Sequence, residues 1–231
     1  MPRLISGPFR FSAGTRDWAL SGMVLALLVV HFVLGPISDL GLLNRPVIGT
    51  LATLLVLTSL VATYTGTVIG YVTLFGGGLV CALQLLHLVH PEQSTTAALL
   101  LAGAAFLLLI SVAILMDVFS RRRVNMHCIM GAVAVYLLLG LIWGLLYVTL
   151  ELLSPGAFVY PSEAERGHRT FSNLLYFSFV TLTTVGYGDF LPLHPVARSL
   201  ATAEALVGQL FPAVLLARLV SMEVTASSEK P

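Results

Sequence analysis

Apolar residues in this chain come in long runs, and short polar clusters separate them. Several runs reach or approach the roughly 20 residues that a bilayer-spanning helix needs. The pattern predicts a first helix over about 18–34, ended by Gly35-Pro36, and a second over about 46–62, with Pro46 in its first turn. A tight connection at 63–67 turns into a third helix ending near His90-Pro91. After a loop at 92–96, a fourth helix runs over about 97–118, and Arg121, Arg122 and Arg123 stop it. A fifth apolar segment covers about 124–150. The stretch 151–170 is the most polar of the chain, with Pro155, Pro161, Glu163, Glu165, Arg166, His168 and Arg169. A short helix over about 171–183 is too short to cross a membrane alone, and a sixth long helix follows over 196–222. The expected organisation is a segment at 1–17, a four-helix unit at 18–118, an arginine linker at 119–123, a second membrane unit at 124–222 and a polar tail at 223–231.

Composition agrees with this pattern. Apolar residues make up 57% of the chain and charged residues 10%, and the mean hydropathy is +0.94, far from an average soluble domain. The fold class expected is an all-α polytopic membrane protein. Clustered charges orient it: Arg3, Arg10 and Arg16 place the N-terminus in the cytoplasm, and six crossings bring the arginine triplet and the C-terminus back to that side. The expected location is the cell membrane, multi-pass, with both termini cytoplasmic. A net charge of +1 gives no footprint for nucleic acid. Cys81 and Cys128 lie in or beside apolar segments and read as small buried residues rather than a disulfide framework. The N-terminus does not resemble a cleaved signal peptide, because its first apolar run is too long.

The most informative stretch is Thr183-Thr184-Val185-Gly186-Tyr187-Gly188-Asp189, between the short helix and the sixth long one. An extended chain of L-residues points successive carbonyls to alternate sides. Gly186 and Gly188 relieve that restriction, because glycine reaches positive φ at little steric cost. Thr184 adds a hydroxyl oxygen, and the β-branched Val185 stiffens the strand. Residues 124–222 resemble the pore module of the potassium channel superfamily: outer helix, pore helix, filter and inner helix. The likeness is greatest to bacterial channels with a two-pore-like pore. The resemblance covers under half of the chain and implies the following roles. Carbonyls of Thr184, Val185, Gly186 and Tyr187, with the Thr184 hydroxyl, would bind dehydrated K⁺ in a row, and Gly188 would close the filter. Tyr187 would point into an aromatic cuff for which Tyr176, Phe177 and Phe179 are candidates. Asp189, which pairs with a tryptophan in many family members, faces Tyr176 here. Thr183 supports the filter from the helix end, and Val180 stands where some members carry a glutamate. K⁺ is expected as the permeant ion, with no cofactor, and lipids and a four-fold symmetric homotetramer as partners, since one chain supplies one filter strand.

The sixth helix carries Glu204, a functional candidate by virtue of its place in a membrane helix. It is expected behind the filter, bonded to pore-helix hydroxyls such as Ser178 or Thr181; the alternative is a carboxyl that only holds helices together. Gly208 fits a hinge, and Pro212 one turn later removes a helix hydrogen bond, so a bend is expected there unless both residues merely ease packing. Gln209, Pro212, Leu216 and Val220 recur at helical spacing and are candidates for the cavity lining and inner gate. The first four helices lack a voltage-sensor pattern, because 46–120 contains no Lys or Arg. The Arg triplet reads as a topology stop. His87 and His90 share a helix face, but no third metal ligand lies near them in sequence. The chain therefore reads as a passive K⁺ channel without a conventional voltage sensor, not an enzyme. The alternative is a regulatory or silent subunit assembling with another pore-forming chain.

Overall fold

A computed structural model describes residues 68–120, 126–161 and 170–228, with scattered positions between 22 and 37. The expected first and second long helices, positions 121–123 of the expected arginine linker and positions 162–169 of the polar stretch therefore lie outside the described residues, apart from those scattered positions. The described elements run in the order α1 (Val68–Val89), α2 (Gln93–Ser120), α3 (Met126–Leu153), β1 (Phe158–Val159), α4 (Thr170–Leu182), β2 (Leu191–Pro192) and α5 (Pro195–Ser228). Four helices among the described residues are long and apolar enough to cross a membrane: Gly70–Val89, Gln93–Ser120, Cys128–Leu153 and Pro195–Arg218. The chain is a multi-pass membrane protein.

Pro91 separates α1 from α2, and the turn is held by hydroxyls. Thr95 Oγ1 accepts from the Glu92 N–H (3.1 Å) and donates to the His90 carbonyl (2.7 Å). The Thr96 N–H already donates to the Glu92 carbonyl at 3.0 Å, so the expected loop at 92–96 is largely the first turn of α2. Side-chain capping of the orphan N–H groups is what moves that boundary. At the other end of the chain α5 runs unbroken through Pro212 to Ser228, so positions 223–228 of the expected tail are helical. Helix α5 opens on Pro195, a residue suited to the first turn, and the Val196 N–H donates to His194 Nδ1 (3.2 Å).

Apolar burial gives little driving force between helices in lipid, so association rests on close packing and interhelical hydrogen bonds. Phe106, Ile110, Ile114 and Val118 line one face of α2 at four-residue spacing and meet Ala134, Val135, Leu138 and Leu141 of α3. Helix α4 lies against two glycines of α3. A Cβ added at Gly140 would stand 2.5 Å from the Phe179 ring, and one at Gly144 would stand 2.7 Å from Leu175 Cδ1. A second cluster sits near the loop end of α3, where Tyr147, Phe158 and Phe177 form an edge-to-face triangle with centroids 5.1–5.5 Å apart. Glu151 supports the turn beyond α3 by accepting from the N–H groups of Gly156 (3.1 Å) and Phe158 (3.2 Å). Strands β1 and β2 pair antiparallel, Phe158 opposite Pro192 and Val159 opposite Leu191. This small sheet departs from a purely helical expectation. It ties the segment before α4 to the segment after the glycine-rich run.

Candidate functional site

Helix α4 ends at Leu182, and the chain immediately folds its N–H groups back onto the last turn of that helix. The Thr183 N–H donates to the Phe179 carbonyl (3.0 Å) and the Thr184 N–H to the Thr181 carbonyl (2.9 Å). The N–H groups of Val185 and Gly186 both reach the Val180 carbonyl, at 3.0 and 3.2 Å. The orphan carbonyls of the helix end are thereby used by the segment that follows. Thr183 Oγ1 adds a bond to the Phe179 carbonyl at 2.7 Å.

Beyond this anchor the backbone alternates in hand. φ is +59° at Thr184, +58° at Gly186 and +78° at Gly188, while the intervening Val185 and Tyr187 are not positive. Alternation of this kind rotates every second peptide and brings successive carbonyls toward one side. No hydrogen bond within the described residues ends on the carbonyls of Thr184, Val185, Gly186 or Tyr187. Positive φ is unusual for a β-branched residue and costs on the order of 1–3 kcal/mol at Thr184. Residues 183–189 are all exposed in the single chain, Tyr187 by 71%.

Tyr176 and Asp189 hold the far end of the run. The Tyr176 hydroxyl donates to Asp189 Oδ2 at 2.9 Å, and Asp189 Oδ1 accepts from the Phe190 N–H at 3.1 Å. Desolvation first, and then the bond to Asp189, hold the Tyr176 phenol above its ordinary value. The Tyr176 ring packs edge-on against Phe190 (5.8 Å). Phe177 and Phe179, grouped by sequence with Tyr176 as a cuff for Tyr187, instead face α3. Phe177 is in the aromatic triangle and Phe179 lies against Gly140. Helical periodicity separates them: position 176 shares its face with 180 and 183, whereas 177 and 178 belong to the buried face.

Behind α4 stands Glu204, fully buried. Tyr147 Oη donates to its Oε2 at 2.5 Å, and Ser178 Oγ lies 2.6 Å from its Oε1. Ser178 Oγ also reaches the Gly140 carbonyl at 2.7 Å. The Ser178 contact agrees with the sequence reading; Thr181, the other hydroxyl considered, is not the partner of Glu204, and its carbonyl serves Thr184 instead. The last carbonyl of α4, at Leu182, accepts from the Tyr136 hydroxyl (3.1 Å). It also abuts Gly208, where an added Cβ would collide with the Leu182 oxygen. Gly208 is thus a close-packing position. Tyr136, Tyr147, Gly140 and Gly144 were not singled out from sequence, since tyrosines and glycines in an apolar helix carry no local mark of their partners. Gln209, Pro212, Leu216 and Val220 lie on exposed parts of α5. His87 Nδ1 is 3.3 Å from Thr96 Oγ1.

The family described as "Ion channel" matches residues 133–224, a span that contains the glycine-rich run, its anchors and Glu204. "Protein LctB" of Bacillus caldotenax is 35% identical over 101 residues, covering 43% of this chain and 75% of that protein. The chain belongs to the ion channel family. The channel is also 45% identical over 67 residues to "Two pore potassium channel b" of Oryza sativa subsp. japonica, covering 28% of this chain and 19% of that protein. Against "Inward rectifier potassium channel Kirbac3.1" of Paramagnetospirillum magnetotacticum it is 44% identical over 41 residues, 18% of this chain and 14% of that protein. The channel therefore spans most of the first relative and under a fifth of the other two. No solved structure matches it.

Proposed function

We propose that the chain is one subunit of a homotetrameric, K⁺-selective channel that conducts passively through a central pore. The observation that carries this reading is the alternating backbone at Thr184, Gly186 and Gly188, anchored through its N–H groups to the end of α4. Such a strand presents carbonyls without internal partners, and four of them about an axis replace the hydration shell of a cation. The Thr184 hydroxyl supplies the innermost oxygen. The C-terminal end of α4 carries partial negative charge, and four converging ends favour a cation near the membrane centre.

Exposure in the single chain supports assembly. Tyr187, and Leu206, Leu210, Val214, Leu216 and Val220 along α5, are apolar and uncovered by the chain's own elements. In a tetramer Tyr187 turns toward neighbouring subunits, and Gln209, Pro212, Leu216 and Val220 line the cavity and inner gate. Membrane lipids are the remaining partners, and no cofactor beyond the permeant ion is required. Both termini lie in the cytoplasm. Potassium in the names of two relatives supports the choice of ion.

Flux from liposomes that contain only the purified chain tests this reading. K⁺ efflux that exceeds Na⁺ efflux and is blocked by barium is expected. Equal passage of both ions contradicts K⁺ selectivity, and no passage through a verified tetramer under varied lipid, pH and tension contradicts conduction and favours a silent subunit.

A further inference from the structure

Five oxygens from four residues meet behind the glycine-rich run, and their hydrogens can be counted. Tyr147 Oη is 2.5 Å from Glu204 Oε2, Glu204 Oε1 is 2.6 Å from Ser178 Oγ, and Ser178 Oγ is 2.7 Å from the Gly140 carbonyl. Each contact is at hydrogen-bond length and needs a hydrogen of its own. The phenol has one to give, the serine hydroxyl has one, and the backbone carbonyl has none. An ionised carboxylate also has none. With Glu204 ionised, two hydrogens would serve three contacts, and one pair of oxygens would face each other through lone pairs alone. Sharing the serine hydrogen between Glu204 and Gly140 does not resolve this, because both distances are those of undivided bonds.

A protonated Glu204 closes the count. Tyr147 donates to Oε2, Oε1–H donates to Ser178, and Ser178 donates to Gly140. The surroundings agree. From α3 the groups facing Glu204 are Tyr147 and Tyr136, the latter donating to Leu182. From α4 the group is Ser178, and among the described residues no Lys, Arg or His pairs with Glu204 to balance an anion. A buried, unbalanced carboxylate in a membrane helix would be costly.

We infer that Glu204 enters this junction as the neutral acid and donates to Ser178, so that Tyr147, Glu204 and Ser178 act as positioning residues that set where α4, and with it the conducting strand, stands against α3 and α5. The junction joins all three helices of residues 133–224 at one point. Ser178 lies one helical turn before Leu182, whose carbonyl is pinned between Tyr136 and Gly208. Its consequence for conduction rests on the proposed function; its protonation does not.

Infrared spectra of the purified tetramer in lipid at neutral pH, in H₂O and D₂O, read the acid directly. A protonated-carboxyl C=O band is expected in the wild type, missing in Glu204→Gln and displaced in Ser178→Ala, which loses the acceptor. A wild type with no such band, or a band that both variants leave in place, overturns the inference. Flux supplies the second arm. Glutamine donates N–H to Ser178 and accepts from Tyr147, so Glu204→Gln keeps K⁺ selectivity whereas Glu204→Ala loses it. A glutamine variant as damaged as the alanine variant counts against the donor role. If wild type and variants alike fail to conduct, the channel reading fails while the infrared result still decides the acid.

Discussion

At the scale of single residues, two kinds of glycine do different work. A Cβ added at Gly186 would meet nothing within 4 Å, but φ there is +58°. Its replacement is a conformational problem, worth about 1–2 kcal/mol for an L-residue held in the left-handed region. Gly186→Ala should therefore lower tetramer stability modestly and abolish K⁺ flux, because the peptide relaxes and turns a carbonyl off the axis. A melting curve and a flux assay on the same sample check both halves. Gly208 is the opposite case, a steric one. Its added Cβ meets the backbone oxygen of Leu182, and that oxygen cannot swing aside. Gly208→Ala should cost about 3 kcal/mol, the upper part of the overpacking range. Gly140→Ala, which meets the movable Phe179 ring, should cost less, about 1 kcal/mol. Denaturation of the two variants side by side tests that order. The glycine-rich run is legible in sequence because its chemistry is local, carried by adjacent residues. The Ser178 partner of Glu204 is also legible there. Tyr147 and Tyr136 are not, since they reach their partners across 57 and 46 residues of chain.

At the scale of elements, the long helices are legible from apolar length alone, and their ends are less so. Glu92 to Thr96 reads as a polar loop by composition. Hydroxyl and carbonyl bonds from Thr95 and Thr96 make it the start of α2 instead. The same limit applies to α5, whose polar end stays helical to Ser228. Pro212 interrupts its hydrogen bonding without ending it, and in the proposed tetramer the segment beyond it forms the gate. Leu216 is 63% exposed in the single chain, as a residue awaiting its symmetry mates would be. A ring of leucines closes a pore by excluding water. Leu216→Asn should raise open probability in single-channel records, with unitary selectivity unchanged. Unaltered open probability would place the gate elsewhere.

At the scale of the whole molecule, the charge carried by α1 and α2 bears on the expected response to voltage. Helix α2 carries Asp117 as its one formally charged residue, near its end, and α1 carries none. Moving one elementary charge through the field is worth about 2.3 kcal/mol per 100 mV, so these helices have almost nothing to move. Open probability should vary little with voltage. The central claim is that the strand from Thr184 to Gly188 selects K⁺, and the reversal potential of the purified chain in a planar bilayer, with K⁺ on one side and Na⁺ on the other, tests it most directly. A reversal potential displaced far toward the K⁺ equilibrium value is the predicted result. A reversal potential near zero, from open channels of the same preparation, would contradict it.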